Sequence, residues 1–235
     1  MKIVFLDQAT VQYKDELNYA KLQELGEIIA YPYSKPFEAL ERIQDAEVVI
    51  LNKFPMTKDI LTKLPNVKLI AITATGYDNI DIQAAREYNI AVANVPAYSS
   101  NSVAQLTLTF ILALATQLEQ HLEDMHGEMK WDNNARFRHK GIELAGKTLG
   151  IIGLGAIGQK VAKMAAAFDL KIIAYNPTPK DIPGITFVDL DSLASQSDFV
   201  SIHCPLKTET RNLITEAFFK KMKNKAYCVE ITKAN

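Results

Sequence analysis

Short apolar runs alternate with segments of helical apolar spacing along most of the chain. In the first hundred residues the pattern predicts strands at Ile3–Leu6, Glu27–Ala30, Val48–Leu51, Lys68–Ile72 and Ala91–Ala93. The segments between them predict helices near Asp15–Leu25, Phe37–Gln44, Thr57–Leu61 and Ile82–Tyr88. Because continuous apolar strands that alternate with helices are typical of parallel sheets covered on both faces, the pattern predicts an α/β fold.

The same alternation returns after residue 147. It predicts strands at Thr148–Ile152, Lys171–Tyr175, Thr186–Val188, Phe199–His203 and Ala226–Ile231, and helices at Gln159–Phe168, Leu190–Ser195 and Thr215–Met222. A polar segment over 127–146 precedes this second half. We therefore expect two α/β domains, at residues 1–100 and 101–235.

The longest apolar stretch is Val103–Ala115, which predicts a helix. It is too short to span a bilayer, and it carries Gln105, Thr107 and Thr109. A helix that is apolar on nearly all sides is buried on several of them. It is either a core helix or a helix between domains or subunits.

Composition narrows the function classes. The 235 residues carry a net charge of −1 and no basic cluster, which argues against a nucleic-acid or membrane partner. Asp7 interrupts an N-terminal apolar run that is too short for a signal peptide. The two cysteines, Cys204 and Cys228, show neither metal-site spacing nor a disulfide framework. These features predict a cytoplasmic protein without a metal site.

The pattern over Lys147–Gly158 predicts a strand, a glycine turn and the start of a helix. This is the order of elements in a dinucleotide-binding βαβ crossover. Gly153 would allow the tight turn, Gly155 would let the backbone approach a pyrophosphate, and Gly158 would let the helix pack against the strand. The diphosphate would bind free N–H groups at the helix N-terminus, with help from the helix dipole. The alternative is a glycine turn with a purely structural role.

Cofactor choice depends on Asn176, which ends the strand Lys171–Tyr175. Enzymes that prefer NAD usually place a carboxylate there to accept both ribose hydroxyls. An amide can bond one hydroxyl but does not repel a 2′-phosphate, and Thr178 and Lys180 follow as candidate phosphate contacts. The sequence therefore does not decide between NAD and NADP as the cofactor. Asn176 also fits a purely structural role, as a turn residue before Pro177.

Four further segments are informative together with the glycine turn. They are Thr73–Asp81 (TATGYDNID), Asn94–Pro96 (NVP), Ser102–Gln105 (SVAQ) and Ile202–Ile214 (IHCPLKTETRNLI). This combination resembles the D-isomer-specific 2-hydroxyacid dehydrogenases, especially their glycerate dehydrogenase/hydroxypyruvate reductase branch. The resemblance implies two flavodoxin- or Rossmann-like domains, with a substrate domain at 1–100 and an NAD(P)-binding domain at 101–235. It also implies a small 2-hydroxy or 2-oxo acid substrate and a homodimer built on the helix near 101–125.

The resemblance also implies roles for individual residues. The backbone at Thr75 and Gly76 would hold the substrate carboxylate, with Lys53 near the mouth of the site. Ala156 and Ile157 would meet the diphosphate, and the nicotinamide and ribose side would be lined by Cys204, Pro205 and Thr210. Without the resemblance, Thr75–Gly76 fits an ordinary turn and Lys53 a surface lysine.

Catalysis is the weaker part of the match. The family uses an Arg that grips the carboxylate and a His proton donor tuned by a Glu. Lys233 stands at the Arg position, and the His and Glu would follow beyond Asn235. His121, His126, His139 and His203 fit structural or surface roles. We therefore expect a truncated cofactor domain with impaired hydride transfer.

Two other functions stay open. One is a catalytically silent dinucleotide-binding or regulatory protein, because the signals for cofactor binding are stronger than those for catalysis. The other is a methyltransferase-like protein that uses S-adenosylmethionine, although the turn spacing and the segment after His203 argue against it.

Overall fold

The computed structural model describes residues 1–14, 16–126, 138–207 and 209–231. The chain divides into two compact units, Met1–Tyr98 and Ser99–Asn235, close to the division expected at residue 100. The predicted site residue Lys233 lies outside the described residues, as does Trp131. The functional role of each unit stays a prediction.

Unit 1 is a five-stranded parallel sheet in the order β2-β1-β3-β4-β5. Its strands are β1 (Lys2–Phe5), β2 (Glu27–Ala30), β3 (Val48–Leu51), β4 (Leu69–Ile72) and β5 (Ala91–Ala93). Its helices are α1 (Ala20–Gln23), α2 (Pro36–Ile43), α3 (Lys58–Leu61) and α4 (Ile82–Glu87), and a 3₁₀ turn covers Gln8–Thr10. The larger core cluster includes Ile43, Leu51 and Ile70, and a smaller cluster contains Ile3, Phe5 and Ile50.

The predicted helix at Asp15–Leu25 is wrong over most of its length. Only Ala20–Gln23 is helical, Lys14 has a left-handed φ of 51°, and the Asn18 side chain accepts a hydrogen bond from the Ala20 N–H. Of this segment, only Tyr19 and Leu22 pack against the smaller core cluster. Because short helices depend on tertiary packing, so few buried positions stabilise only one turn.

Unit 2 contains a second parallel five-stranded sheet, in the order β10-β9-β6-β7-β8. Its strands are β6 (Thr148–Ile152), β7 (Lys171–Tyr175), β8 (Ile185–Phe187), β9 (Phe199–Ile202) and β10 (Tyr227–Glu230). Its helices are α5 (Ser100–Thr116), α6 (Leu118–His126), α7 (Ala156–Ala166), α8 (Leu190–Gln196) and α9 (Glu216–Lys221). The two Rossmann-like sheets confirm the predicted α/β fold class.

Helix α5 is predominantly apolar but is buried on only one face. Ala104, Leu108 and Ile111 lie in the core cluster of unit 2, whereas Leu106 and Phe110 are 42% and 45% exposed. A left-handed Gln117 separates α5 from α6, and the two helices are bent by 67°. Among the described residues no single helix meets the length and hydropathy of a membrane span, although this bent pair does when taken together.

Candidate functional site

The glycine turn joins β6 to α7 and is shaped by close contacts on both sides. Gly153 has a φ of +93°, and a Cβ there would lie 2.5 Å from the backbone nitrogen of Cys204. A Cβ at Gly158 would lie 2.5 Å from the carbonyl oxygen of Gly153. These two positions therefore require glycine for the turn and for helix packing, whatever the turn binds.

Gly155 differs because a Cβ there would meet nothing within 4 Å. The residue is the N-cap of α7 in an extended conformation, with φ −83° and ψ −157°. Within the described residues, therefore, no contact requires glycine at this position. The open space fits the predicted approach of a ligand to the backbone.

The N-terminus of α7 offers backbone donors. The first hydrogen bond of the helix runs from the Gln159 N–H to the Gly155 carbonyl. Within the described residues, the N–H groups of Gly155, Ala156 and Ile157 have no acceptor, as expected for a first helical turn. The first turn carries no acidic side chain. Free donors and the positive end of the helix dipole together favour an anion.

Asn176 lies directly against the glycine turn. Its Oδ1 accepts a hydrogen bond of 2.7 Å from the Leu154 N–H, and the Gly153 N–H donates to the carbonyl of Tyr175. The side chain is half-buried, and it is followed by the exposed residues Pro177, Thr178 and Lys180. The end of β7 therefore holds the turn in place, a contact that the sequence did not predict.

The end of β9 lies beside Gly153. His203 is buried, its Nε2 lies 2.7 Å from the Ser201 hydroxyl, and its Nδ1 has no partner among the described residues. Burial lowers the pKa of His203 to about 4, so the ring is neutral at pH 7. Burial also raises the pKa of the neighbouring Cys204 thiol. Both groups are uncharged near neutral pH.

The segment after Cys204 is a turn closed by its own side chains. The Thr210 hydroxyl donates to the carbonyl of Pro205 at 2.6 Å and accepts from the Lys207 N–H at 2.8 Å. Thr210 thus has a structural role in addition to the cofactor contact predicted for it. The predicted contacts of Cys204, Pro205 and Thr210 with the cofactor stay predictions.

In unit 1 the loop after β3 presents Lys53 between two buried neighbours. Asn52 and Phe54 are 7% and 5% exposed, whereas Lys53 is exposed. In the described part of the chain the Lys53 ammonium has no carboxylate partner. Lys53 lines a pocket of about 640 Å³ whose wall also includes Thr10, Thr73 and Tyr98.

This pocket lies where ligands commonly bind to open parallel sheets. Its lining includes residues at or just after the carboxyl ends of β1, β3 and β4. In a sheet of order 2-1-3-4-5 the connections reverse direction between β1 and β3, and ligands bind at such a switch point. Lys53 therefore occupies a suitable position for a small anion.

The loop after β4 carries Thr75 and Gly76. The Thr75 hydroxyl donates to the carbonyl of Val95, and the Asn94 amide donates to the carbonyl of Thr75. In the described residues the N–H groups of Gly76 and Tyr77 have no acceptor. This loop therefore offers free donors in the place predicted to hold a carboxylate, and Asn94 and Val95 hold Thr75 in position.

Two residues at this end of unit 1 were missed by sequence reasoning. Asp7 is buried after β1, and its carboxylate accepts three backbone N–H groups of the Lys53 loop. Asn79 links that loop to the Gly76 loop through its amide. The signal that could have identified Asp7 is an acidic residue within an apolar N-terminal run.

Comparison with known proteins identifies the family. Residues 108–235 match the family model of the D-isomer specific 2-hydroxyacid dehydrogenase NAD-binding domain. The chain is also 38% identical, over 95% of its length, to a hydroxypyruvate reductase of Blautia hydrogenotrophica, of which it covers 72%.

Solved structures agree with this match. An acyclic imino acid reductase in complex with NADPH and D-Arg superposes with a TM-score of 0.89 at 28% identity, over 98% of this chain and 74% of that one. A D-lactate dehydrogenase of Aquifex aeolicus, complexed with NAD and lactic acid, superposes with a TM-score of 0.86 at 28% identity. The match covers 97% of this chain and 68% of that one. From the sequence match, the two parallel sheets and the glycine turn, we conclude that the chain belongs to the D-isomer specific 2-hydroxyacid dehydrogenase family.

Proposed function

We propose that this chain binds NAD(H) and acts in the interconversion of 2-oxo and 2-hydroxy acids, in the manner of a hydroxypyruvate reductase. The observation that carries the proposal is the start of α7, where the N–H groups of Gly155, Ala156 and Ile157 have no acceptor among the described residues and a Cβ at Gly155 would meet no described atom within 4 Å. This cradle fits the diphosphate of a dinucleotide. When bound, the cofactor would exchange a hydride with C2 of the acid.

The substrate side of the proposal rests on unit 1. A 2-oxo acid carries a carboxylate, which accepts hydrogen bonds from N–H groups and pairs with a cation. Both kinds of contact are offered by the N–H groups of Gly76 and Tyr77 and by the ammonium of Lys53, which have no partner within the part of the chain that the structure describes. These groups bind and orient the acid in this proposal.

For the cofactor, we propose NADH with modest discrimination against NADPH. Asn176 uses its Oδ1 on the Leu154 N–H, so its NH₂ group is left to bond a ribose hydroxyl or a 2′-phosphate oxygen. An amide carries no charge that would repel the phosphate of NADPH. The related structures contain either cofactor, NADPH in the imino acid reductase and NAD in the D-lactate dehydrogenase.

We also propose that α5 and α6 form a face through which two copies associate. Leu106 and Phe110 on α5 and Leu118, Leu122 and Met125 on α6 are between 42% and 69% exposed. Large apolar side chains that are exposed together on consecutive helices are typical of association surfaces. A homodimer would remove these side chains from water.

Sequential calorimetry tests the proposed function. NADH is titrated into the chain first, and oxamate, an unreactive analogue of a 2-oxo acid, is then titrated into the complex. We expect both ligands to bind. We expect Lys53→Met to lower the affinity for oxamate about tenfold, because a charge-assisted contact is lost. Lys63→Met removes another exposed lysine of unit 1 and should leave oxamate affinity unchanged.

The outcomes separate the alternatives. Binding of NADH without oxamate would support a dinucleotide-binding protein that is catalytically silent. Absence of NADH binding would contradict the proposal as a whole. S-adenosylmethionine serves as the third titrant, and tight binding of it instead of NADH would favour the methyltransferase-like alternative.

A further inference from the structure

Asp7 is a buried carboxylate that is compensated by backbone groups alone. It is 4% exposed and lies two residues after the end of β1. Oδ1 accepts from the Asn52 N–H at 2.8 Å, and Oδ2 accepts from the N–H groups of Lys53 and Phe54 at 2.6 and 2.8 Å. Within the described residues no cationic side chain pairs with it. All three donors belong to one loop, so the carboxylate determines the conformation of that loop.

Burial of a carboxylate is costly, and three backbone hydrogen bonds offset that cost at Asp7. A charged group in an apolar interior needs strong hydrogen bonds to offset lost hydration. A loop between a strand and a helix can satisfy its N–H groups with water or with neutral acceptors. A charged acceptor that bonds three consecutive N–H groups instead fixes a single backbone path. That path carries Lys53.

The side chains around Lys53 reinforce this path. The Asn52 amide donates to the Thr10 hydroxyl at 2.9 Å, and the Phe54 ring is buried in the larger core cluster of unit 1. With both neighbours directed inward, the intervening Lys53 is exposed and lines the pocket at the carboxyl ends of β1 and β3. The position of the ammonium therefore depends on the loop that Asp7 holds.

Asn79 extends the arrangement to the second loop. Its Nδ2 donates to the carbonyls of Asn52 and Phe54, at 3.3 and 2.8 Å, and its own carbonyl accepts from the Met56 N–H. Asn79 lies three residues after Gly76 on the same chain segment. The Lys53 loop and the Gly76 loop are thus connected by direct hydrogen bonds, and the Asp7 carboxylate holds one side of this connection.

We propose that Asp7 is a positioning residue for anion recognition, which acts on the 2-oxo acid through Lys53 and does not touch the acid itself. The inference rests on the proposed function, because Lys53 is taken to bind the carboxylate of the acid. Asn79 is the supporting member that keeps the Lys53 loop in register with the Gly76 loop. Loss of the carboxylate at position 7 releases the loop. The affinity for the 2-oxo acid then falls, whereas the affinity for NADH does not change.

The test is a double-mutant cycle of oxamate affinity in the presence of saturating NADH. Asp7→Asn keeps one oxygen acceptor but places an NH₂ group near a backbone N–H, so the loop loses at least one of its bonds. We expect Asp7→Asn alone to weaken oxamate about tenfold and to change NADH affinity less than twofold. In the Lys53→Met background we expect Asp7→Asn to lower the affinity for oxamate by less than a further factor of two. The reason is that both changes remove the same interaction with the acid.

A merely structural role gives a different pattern, since a general loss of order would weaken oxamate by the same factor with and without Lys53. Asp198→Asn is the matched control, because Asp198 also accepts a backbone N–H, that of Thr148 at 2.8 Å, but lies in unit 2. It should leave oxamate affinity unchanged. If Asp7→Asn does not fold, Asn79→Ala replaces it, and the same non-additivity with Lys53→Met is expected.

The failures are distinguishable. If Lys53→Met leaves oxamate affinity unchanged, the substrate part of the proposed function is wrong, and the inference fails with it. If Lys53→Met weakens oxamate but Asp7→Asn and Asn79→Ala do not, only the positioning role is overturned. Additive losses in the cycle overturn it as well.

Discussion

In the proposed cofactor site, the amide group of Asn176 would contact both the glycine turn and the ribose. Its Oδ1 is used by the Leu154 N–H, so the glycine turn depends on an oxygen at this position. A carboxylate would keep this bond and add a second, charged oxygen. In the proposed cofactor site, the same residue would therefore affect both cofactor preference and turn geometry, and the sequence pattern alone did not indicate its contact with the turn.

We predict that Asn176→Asp shifts the preference towards NADH by about 1–2 kcal/mol. The reason is that a carboxylate makes charge-assisted bonds to the ribose hydroxyls and repels the 2′-phosphate of NADPH. The ratio of NADH to NADPH affinity, measured by calorimetry, is the readout. Asn212→Asp adds the same charge at another exposed position of unit 2 and should not change the ratio. An unchanged ratio in Asn176→Asp would show that the side chain does not face the ribose.

We predict that the folded chain loses stability in acid because His203 is buried as a neutral ring. Burial lowers its pKa to about 4 in the folded chain, whereas an unfolded histidine titrates near 6.5. Unfolding therefore takes up a proton between these values, and the stability contributed by the neutral ring is lost as the pH falls from about 6.5 towards 4. At pH 4.5 this amounts to about 2–3 kcal/mol relative to pH 7.

Urea unfolding at pH 7 and pH 4.5 measures this effect. His203→Gln should reduce the difference in unfolding free energy between the two pH values by that amount, since glutamine does not titrate. His126→Gln removes an exposed histidine and should leave the difference as in the wild type. Equal pH dependence in all three proteins would mean that His203 is protonated as easily when folded as when unfolded.

Among the elements, the strands were predicted most accurately. Val48–Leu51 and Thr148–Ile152 have the predicted bounds because continuous apolar runs between polar turns match central parallel strands, and the edge strand Glu27–Ala30 has its predicted bounds as well. Helix α7 begins at Ala156, within the glycine motif, whereas the sequence pattern predicts a helix that begins at Gln159. Glycine-rich first turns have little apolar periodicity, so the pattern identified the helix but not its N-terminus.

Helix α5 shows the limit of a uniform apolar pattern. Large apolar residues occur both on the face that packs in the core and on the face that carries Leu106 and Phe110. The sequence therefore could not distinguish a core helix from a helix at an interface. The exposed face favours the second interpretation for this unit.

We predict that Phe110→Glu reduces self-association of the chain. The change places a charge on the exposed apolar face of α5, where a partner copy would have to bury it. Phe168→Glu is the matched control, because Phe168 is 41% exposed, close to the 45% of Phe110, but lies after α7. Sedimentation equilibrium should show a weaker dimer for Phe110→Glu only. A monomeric wild type, or equal dimerisation of both variants, would contradict the proposed face.

At the level of the whole molecule, the sequence predicted two parallel-sheet units and the position of the glycine turn. It did not predict the contacts that hold the candidate loops. Asp7, Asn52 and Asn79 are distant in sequence, and their bonds arise only when β1, β3 and β4 pair side by side. Long-range polar contacts leave no periodic signal, which is why they were missed.

The central claim is that the N-terminus of α7 binds the diphosphate of NAD(H), and Gly155→Val tests it most directly. A Cβ at Gly155 meets no described atom within 4 Å and the backbone is extended, so the variant should fold, although valine is a poorer helix N-cap than glycine and should lower the unfolding temperature by a few degrees. The branched side chain would stand where the pyrophosphate passes. Calorimetric titration with NADH should therefore show affinity at least about tenfold weaker in the folded variant. Equal NADH affinity in the wild type and in Gly155→Val would contradict the assignment.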